Sequence, residues 1–243
     1  METQVDQKKI QEMLQCGLQY GHPKSRSHPK ANPFIISTKN NVEIINLEIT
    51  YFKLQEAIEK MRKVINSKGL ILFVPSFPTN IPLIQNLAKL LNQPYISEKW
   101  IGGLLTNFKT ITERIKYYEE LKQKSLKKEL DKYTKKEKMK LELQLQDLEN
   151  KFEGLVNLSR KPDLLFIVDP QYNKTAVNEA IQSKIPIIAI LDNDDDPTPI
   201  HYPIPANDSS ISSVKWIVEE IKNNLLPSQN KENNEQQTTT LTN

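Results

Sequence analysis

The residues Leu164-Leu165-Phe166-Ile167-Val168 are apolar throughout and have the length of a β-strand. Two similar runs occupy residues 70–74 and 185–190. Continuous apolar runs of this length are typical of strands that are buried on both faces of a sheet, and such sheets are usually parallel. Amphipathic helical patterns separate the runs. We therefore predict an α/β fold, a three-layer, doubly wound parallel sheet.

Apolar residues at helical spacing predict the helices around these strands. Short strands are predicted at residues 35–36 and 42–46, on either side of a polar turn, and at 95–96. Asp208 and Ser209 precede the last helical stripe and are predicted to cap that helix. The predicted helices lie at residues 1–18, around 54–65, and at 80–92, 173–183 and 211–225.

Residues 106–154 are predicted to be an insertion that lacks the alternation of apolar strands and helices seen in the rest of the chain. Apolar stripes within residues 111–121 and 141–152 predict two helices joined by a polar tip. Thr134 and Glu137 have the spacing of a capping box, which marks the start of the second helix. We therefore predict an inserted, protruding α-helical hairpin of the coiled-coil type.

The remaining residues predict the domain organisation. A chain of 243 residues can hold one α/β domain and an appendage. Residues 1–105 and 155–226 would form that single domain on either side of the insertion. Residues 227–243 have almost no apolar side chains and predict a disordered polar tail.

The composition excludes several classes of protein. Cys16 is the only cysteine, which excludes a disulfide framework and a cysteine-based zinc site. No apolar run approaches the roughly 20 residues that cross a bilayer, so no membrane partner is expected. The N-terminus resembles neither a signal peptide nor a transit peptide. We expect the protein to work where it is made, in a bacterial cytoplasm or in an organelle that encodes it.

Catalytic motifs are absent from the sequence: it has no GxSxG, GxGxxG or Walker phosphate loop. The three histidines, at positions 22, 28 and 201, form no metal-spaced cluster. The run Asp192-Asn193-Asp194-Asp195-Asp196 follows a predicted buried strand, where α/β folds bind ligands. Carboxylates that order the loop by accepting backbone N–H bonds are the favoured interpretation. A metal site at Asp192, Asp194 and Asp196, or a magnesium-dependent phosphotransferase that uses Asp192 and Asp194, stays open. We expect no catalytic residue, no cofactor of the protein's own and no small-molecule substrate.

Three separate basic surfaces favour nucleic acid, although the net charge of +3 alone does not. The basic arm, residues 22–30, contains prolines that should keep it extended. The elbow, residues 100–109, combines an exposed aromatic side chain with an amide and a cation. Its adjacent glycines, Gly102 and Gly103, should let the backbone pass close to another surface. The hairpin tip, residues 122–140, holds nine lysines and three acids. Phosphate neutralisation by such groups gives salt-dependent affinity.

Five sequence motifs, in unbroken order, resemble the bacterial-type family of the second protein of the small ribosomal subunit. The segment from residue 99 to 111, Lys-Trp-Ile-Gly-Gly-Leu-Leu-Thr-Asn-Phe-Lys-Thr-Ile, is similar to that family's most specific signature. The other four motifs lie at residues 13–22, 32–35, 161–170 and 202–208. The resemblance covers residues 10 to 225.

This resemblance implies a non-enzymatic ribosomal protein with a flavodoxin-like sheet and a protruding hairpin. The family lies between the head and body of the small subunit on ribosomal RNA and helps recruit the large first protein of that subunit. Magnesium would enter only through the RNA. The residues expected to contact RNA are His22, Lys24, Arg26, Lys30, Trp100, Gly102, Gly103, Thr106, Asn107, Lys109 and Arg114, with Lys135 and Lys136 added from the charge of the tip.

Several positions depart from the family pattern. Gln19 replaces a histidine, and Ala206 stands where the family has glycine. The turn at residues 75–80 lacks the cations that the family carries there, and residues 193–195 add negative charge. These departures predict an altered RNA contact surface near the carboxyl edge of the sheet. A protein-only scaffold, whose hairpin docks partner helices, is a third interpretation beside RNA binding and phosphotransfer.

Overall fold

The computed structural model describes residues 7–226, so residues 1–6 of the first predicted helix and the predicted tail at 227–243 lie outside the described residues. The helices are α1 Gln7–Gln15, α2 Leu47–Asn66, α3 Ile81–Leu90, α4 Phe108–Leu126, α5 Lys135–Phe152, α6 Lys174–Gln182 and α7 Ile211–Leu225. The strands are β1 Tyr20–Pro23, β2 Ile35–Lys39, β3 Val42–Ile45, β4 Ile71–Val74, β5 Leu164–Val168, β6 Ile187–Leu191 and β7 Tyr202–Pro205. Within this range, no helix has the length and apolarity that crossing a membrane requires.

The main sheet has four parallel strands in the order β4-β5-β6-β7. A single parallel bridge joins Tyr95 to Phe73 on the other side of β4. The strand that we predicted at residues 95–96 is therefore reduced to one bridge. With this bridge counted, the strand order corresponds to the 2-1-3-4-5 order of flavodoxin-like sheets. The prediction of a parallel α/β sheet is confirmed.

Helices cover both faces of this sheet. Neighbouring residues of a strand point to opposite faces, so strands that are apolar throughout place apolar side chains on both faces. Phe73, Phe166 and Ile188 pack with buried residues of α2, α3 and α7 on one face. Leu72, Leu165 and Ile187 pack on the other face with α6, the start of α4 and the end of α5. The result is the three-layer, doubly wound arrangement that the alternation of apolar runs and helices predicts.

Two features at the end of the chain differ from prediction. Strand β7 was not predicted, because Pro203 and Pro205 argue against a strand; its position at the sheet edge tolerates residues without an N–H group. The cap prediction at Asp208 and Ser209 is wrong. Helix α7 begins after Ser210, and Asn207 Oδ1 accepts hydrogen bonds from the N–H groups of Ser209 (3.2 Å) and Ser210 (3.0 Å).

A second, antiparallel sheet has the strand order β1-β3-β2. The hairpin of β2 and β3 is confirmed, and its turn uses Asn40 and Asn41, whose φ angles of 49° and 66° suit a tight hairpin turn. Strand β1 was not predicted, because only four residues form it and Gly21 and Pro23 are poor strand formers.

Helices α4 and α5 contact each other along the inserted segment. Lys122 Nζ lies 2.7 Å from Glu149 Oε1, and the Tyr118 hydroxyl donates to the same carboxylate over 3.4 Å. The hydrogen bond from Lys122 lowers the pKa of Glu149. The predicted capping box is present, with Thr134 and Glu137 each accepting from the other's N–H group.

Candidate nucleic-acid interface

The basic arm is not extended, so that prediction is wrong. Residues Lys24–Arg26 and Pro29–Phe34 each form a 3-10 turn, and the His28 N–H donates to the carbonyl oxygen of Asn193 over 2.7 Å. The prolines do prevent an α-helix, but they are compatible with tight turns. The arm therefore folds back on the acidic loop, residues 192–196.

Asn193 is the centre of this contact. Its Oδ1 accepts from the His22 N–H over 2.6 Å, and its Nδ2 donates to the His22 carbonyl oxygen over 3.1 Å. Nδ2 also donates to Glu43 Oε2 in β3 over 2.8 Å. Because Asn193 and Glu43 are buried, these hydrogen bonds are shielded from water and therefore strong. They fix the arm against the end of β6.

Side chains of the arm also lie against carboxylates of the acidic loop. His22 Nδ1 lies 3.2 Å from Asp192 Oδ2. An Arg26 guanidinium nitrogen lies 3.1 Å from Asp194 Oδ2, and Lys30 Nζ lies 3.3 Å from Asp196 Oδ2. Arg26 and Lys30 remain more than half exposed, and exposed ion pairs contribute only about 0–1 kcal/mol. Both cations can therefore exchange these partners for phosphates.

The metal site considered from the sequence is not the group that the structure brings together. Asp192, Asp194 and Asp196 pair with the arm. Side-chain oxygens of Asp169, Asp195 and Asp208, which follow β5, β6 and β7, instead lie within 4.8 Å of one another. Carboxylate oxygens are ligands that hard cations accept, so this group could hold one.

Burial raises the pKa of all three carboxyl groups. Desolvation is the largest cause in each, and repulsion from neighbouring aspartates adds to it. The pKa of Asp195 rises to about 8, and that of Asp208 rises well above its usual value. Asp196 differs: hydrogen bonds from the Thr198 hydroxyl and N–H lower its pKa to about 2.

These shifts predict that the protein loses stability as the pH rises from 5 to 8. An acid whose pKa is raised by folding contributes stability that is fully present below its unfolded pKa, near 3.9, and is lost as the pH approaches the folded value. Asp208→Asn removes a buried acid whose pKa folding raises, because burial disfavours its ionised form. We expect a higher free energy of unfolding than in wild type at pH 8 and a weaker pH dependence between pH 5 and pH 8.

Urea unfolding at pH 5 and pH 8, with EDTA present to remove cations, measures this effect. Asp196→Asn is the matched control, because Asp196 is ionised in both the folded and the unfolded protein across this range. It should leave the pH dependence unchanged. An identical pH dependence in wild type and Asp208→Asn would show that folding does not raise the pKa of Asp208.

Glu179, in α6, is the residue of this region that the sequence analysis missed. Its carboxylate accepts hydrogen bonds from Trp100 Nε1 over 2.9 Å and from the Gly103 N–H over 2.8 Å. It also accepts from the Leu105 N–H over 3.0 Å, and from the N–H and hydroxyl of Thr106 over 3.2 and 3.1 Å. Glu179 is only 7% exposed. The one available signal was a glutamate inside the apolar stripe of a predicted helix.

The pKa of Glu179 reflects two opposing causes. Desolvation raises it, but the hydrogen bonds from Trp100 and the elbow backbone outweigh burial and lower the pKa overall. The side chain is therefore a buried, fully ionised anion at neutral pH. The prediction of an exposed aromatic in the elbow needs correction, because Trp100 is half-buried and bound to this anion.

The two glycines of the elbow have different roles. Gly103 has φ +87°, a left-handed conformation that glycine adopts without strain. Gly102 has nothing within 4 Å of the position of a Cβ atom among the residues that the structure describes. The predicted close approach to another surface is therefore not made within residues 7–226.

A crevice of about 590 Å³ joins the elbow to the base of the inserted helices. Trp100 and Arg114 line it together with Lys99 and with Tyr117, which is 42% exposed. Asn107 and Lys109 are exposed at the start of α4, where Asn107 Oδ1 accepts from the Thr110 hydroxyl over 2.9 Å. Aromatic rings beside cations are suited to contact bases and phosphates.

The hairpin tip lies far from this crevice. Lys135 and Lys136 are exposed in the first turn of α5, and the 19 residues of α4 span about 28 Å. The elbow and the basic arm both lie beside helix α6. The elbow is hydrogen-bonded to Glu179 of this helix, and a cavity of about 330 Å³ is lined by Lys174 of the helix and by His28 of the arm. Lys24 is exposed in the arm itself.

Comparisons with known proteins identify the family to which this chain is similar. The family model described as "Ribosomal protein S2" matches residues 13–227. The chain is 38% identical over 217 residues to "Small ribosomal subunit protein uS2" of Dictyoglomus turgidum, covering 89% of this chain and 88% of that protein. It is 37% identical over 206 residues to the protein of the same name from Pseudoalteromonas atlantica, covering 85% of each. For that of Buchnera aphidicola subsp. Cinara cedri, the identity is 38% over 205 residues.

Proposed function

Because the chain belongs to the ribosomal protein S2 family, we infer that it is a structural, non-enzymatic constituent of the small ribosomal subunit. The family match extends over nearly all of the described chain, and relatives from several bacteria share the same name. This membership carries the functional conclusion. The chain therefore supports translation as part of a ribonucleoprotein particle.

We propose that the basic arm, the elbow and the hairpin tip bind small-subunit ribosomal RNA. The single observation that favours this role is the exposure of cations on all three surfaces: Arg26 and Lys30 in the arm, Lys109 in the elbow, and Lys135 and Lys136 at the tip. Phosphates attract such side chains whatever the base sequence. Base contacts would come from the crevice beside Trp100.

We further propose that helices α4 and α5 form a protruding coiled-coil hairpin inserted at residues 106–154 in an otherwise single RNA-binding domain. Two observations support this proposal. The two helices contact each other through Lys122 and Glu149, and the only buried residue that the structure describes in α5 is its last one, Phe152. The particle would be a bacterial ribosome in the cytoplasm, since the named relatives are bacterial; an organellar ribosome is the alternative.

Within the subunit, we propose a position between head and body, next to other ribosomal proteins that include the large first protein. No cofactor is proposed for the chain itself, and Mg²⁺ would act through the RNA. The phosphotransferase alternative gains no support, because Asp192 and Asp194 are paired with His22 and Arg26 of the arm.

Sedimentation of a cell extract through sucrose gradients tests the function. The tagged chain should travel with small subunits at low salt and leave them at high salt, because phosphate contacts release counterions. Recovery of the chain only at the top of the gradient at every salt concentration would contradict the proposal. A phosphatase assay with Asp192→Asn tests the enzymatic alternative, for which we expect equal and negligible turnover in wild type and variant.

A further inference from the structure

We infer that Glu179 is a positioning residue for RNA binding: its carboxylate fixes the shape of the elbow and thereby aims the elbow side chains at the RNA. This inference rests on the proposed RNA-binding function. Glu179 itself lies beneath the surface and would touch no RNA.

The hydrogen bonds of the elbow backbone carry the inference. Five consecutive N–H groups, from residue 103 to residue 107, need acceptors. Two find them within the turn: Leu104 donates to the Ile101 carbonyl oxygen over 3.1 Å, and Asn107 to that of Gly103 over 2.7 Å. The other three, those of Gly103, Leu105 and Thr106, all donate to Glu179. One side chain thus accepts from all three N–H groups, among these five, that the turn leaves unpaired.

This arrangement decides how the elbow meets an anion. Successive N–H groups that converge in a glycine-containing turn usually form a site for phosphate. Here the protein fills that site with its own carboxylate, so phosphates are left to the exposed cations and hydroxyls. Because Trp100 Nε1 donates to the same carboxylate, the indole ring is held at the wall of the crevice. Glu179 therefore couples the turn to the indole ring.

The direction in which Glu179→Gln changes RNA affinity distinguishes a positioning role from a simple effect of charge. Glu179→Gln removes a negative charge, so simple electrostatics predicts tighter RNA binding. The amide nitrogen of glutamine, however, is a donor and would face the N–H groups that need acceptors. Positioning therefore predicts weaker binding, by about tenfold or more. Glu179→Asp keeps the charge but shortens the side chain by one methylene, and should give an intermediate loss.

The experiment measures affinity for small ribosomal subunits that have been depleted of their S2-family protein. Glu219→Gln is the matched control, because Glu219 is exposed in α7 and its substitution makes the same change in charge. It should bind as well as wild type or slightly better. In a Trp216→Phe background, the indole N–H resonance of Trp100 should shift in Glu179→Gln while the far-ultraviolet circular dichroism stays unchanged.

Hydrogen exchange on the wild-type protein gives a second readout that needs no variant. The amides of Gly103, Leu105 and Thr106 should already be protected in the free protein. Fast exchange at these amides in the free protein would overturn the inference, as would equal affinity of Glu179→Gln and Glu219→Gln. Failure of the wild type itself to bind depleted subunits would instead contradict the proposed function.

Discussion

Gly154→Ala should lower the free energy of unfolding by about 3 kcal/mol, because a Cβ atom at this position has no room. It would lie closer than 3.0 Å to the carbonyl oxygen of Tyr95 and to its ring. Neither neighbour can move away easily. The Tyr95 N–H donates to the Gly154 carbonyl oxygen over 2.9 Å, and Tyr95 is bridged to Phe73 in β4.

Urea unfolding and thermal melting measure this loss, which corresponds to a fall of about 10 °C in melting temperature for a protein of this size. Gly102→Ala is the matched control, since it adds the same methyl group where nothing lies within 4 Å. It should change the free energy of unfolding by less than about 0.5 kcal/mol. Equal stability of the two variants would mean that the turn after α5 does not pack against Tyr95.

The double variant Lys135→Glu, Lys136→Glu should weaken binding to small subunits and reduce the slope of log affinity against log salt by about 2. The same double variant should raise the free energy of unfolding slightly. Both positions lie in the first turn of α5, where negative charge interacts favourably with the helix dipole. A loss of affinity without a loss of stability would therefore identify a binding effect rather than a folding defect.

The double variant Lys60→Glu, Lys215→Glu is the control for net charge. Lys60 lies in α2 and Lys215 in α7, on the sheet face opposite the elbow. If the hairpin tip contacts RNA, the control should keep nearly the wild-type salt slope. Equal losses in the two double variants would show that only overall charge matters. If Lys135→Glu, Lys136→Glu bound small subunits as tightly as wild type, the scaffold interpretation would be favoured, in which α4 and α5 dock protein partners.

Much of the fold follows from patterns that are local in sequence. The apolar runs of β4, β5 and β6 and the stripes of α2 and α7 are long enough to be recognised individually, and the structure confirms them. Strand β7 was missed because its stability comes from pairing with β6, which outweighs the two prolines. Such pairing joins residues that are distant in sequence, so no local pattern reports it.

The site was less predictable for the same reason. The sequence marks Arg26 and Lys30 as cations, but their pairing with the acidic loop, like that of His22, connects residues more than 160 positions apart. Glu179 was invisible as a ligand of the elbow, since the donors lie over 70 positions earlier in the chain. The contacts of the predicted residues with RNA stay predictions.

Ultraviolet cross-linking of purified small subunits, followed by mass spectrometry of RNA-bound peptides, tests most directly which surface of this chain binds RNA. We expect cross-links in the basic arm, in the elbow and near Lys135 and Lys136, and none in the exposed face of α2. Cross-links confined to α2 and β7, or an absence of RNA-bound peptides from the arm, elbow and tip, would contradict the account.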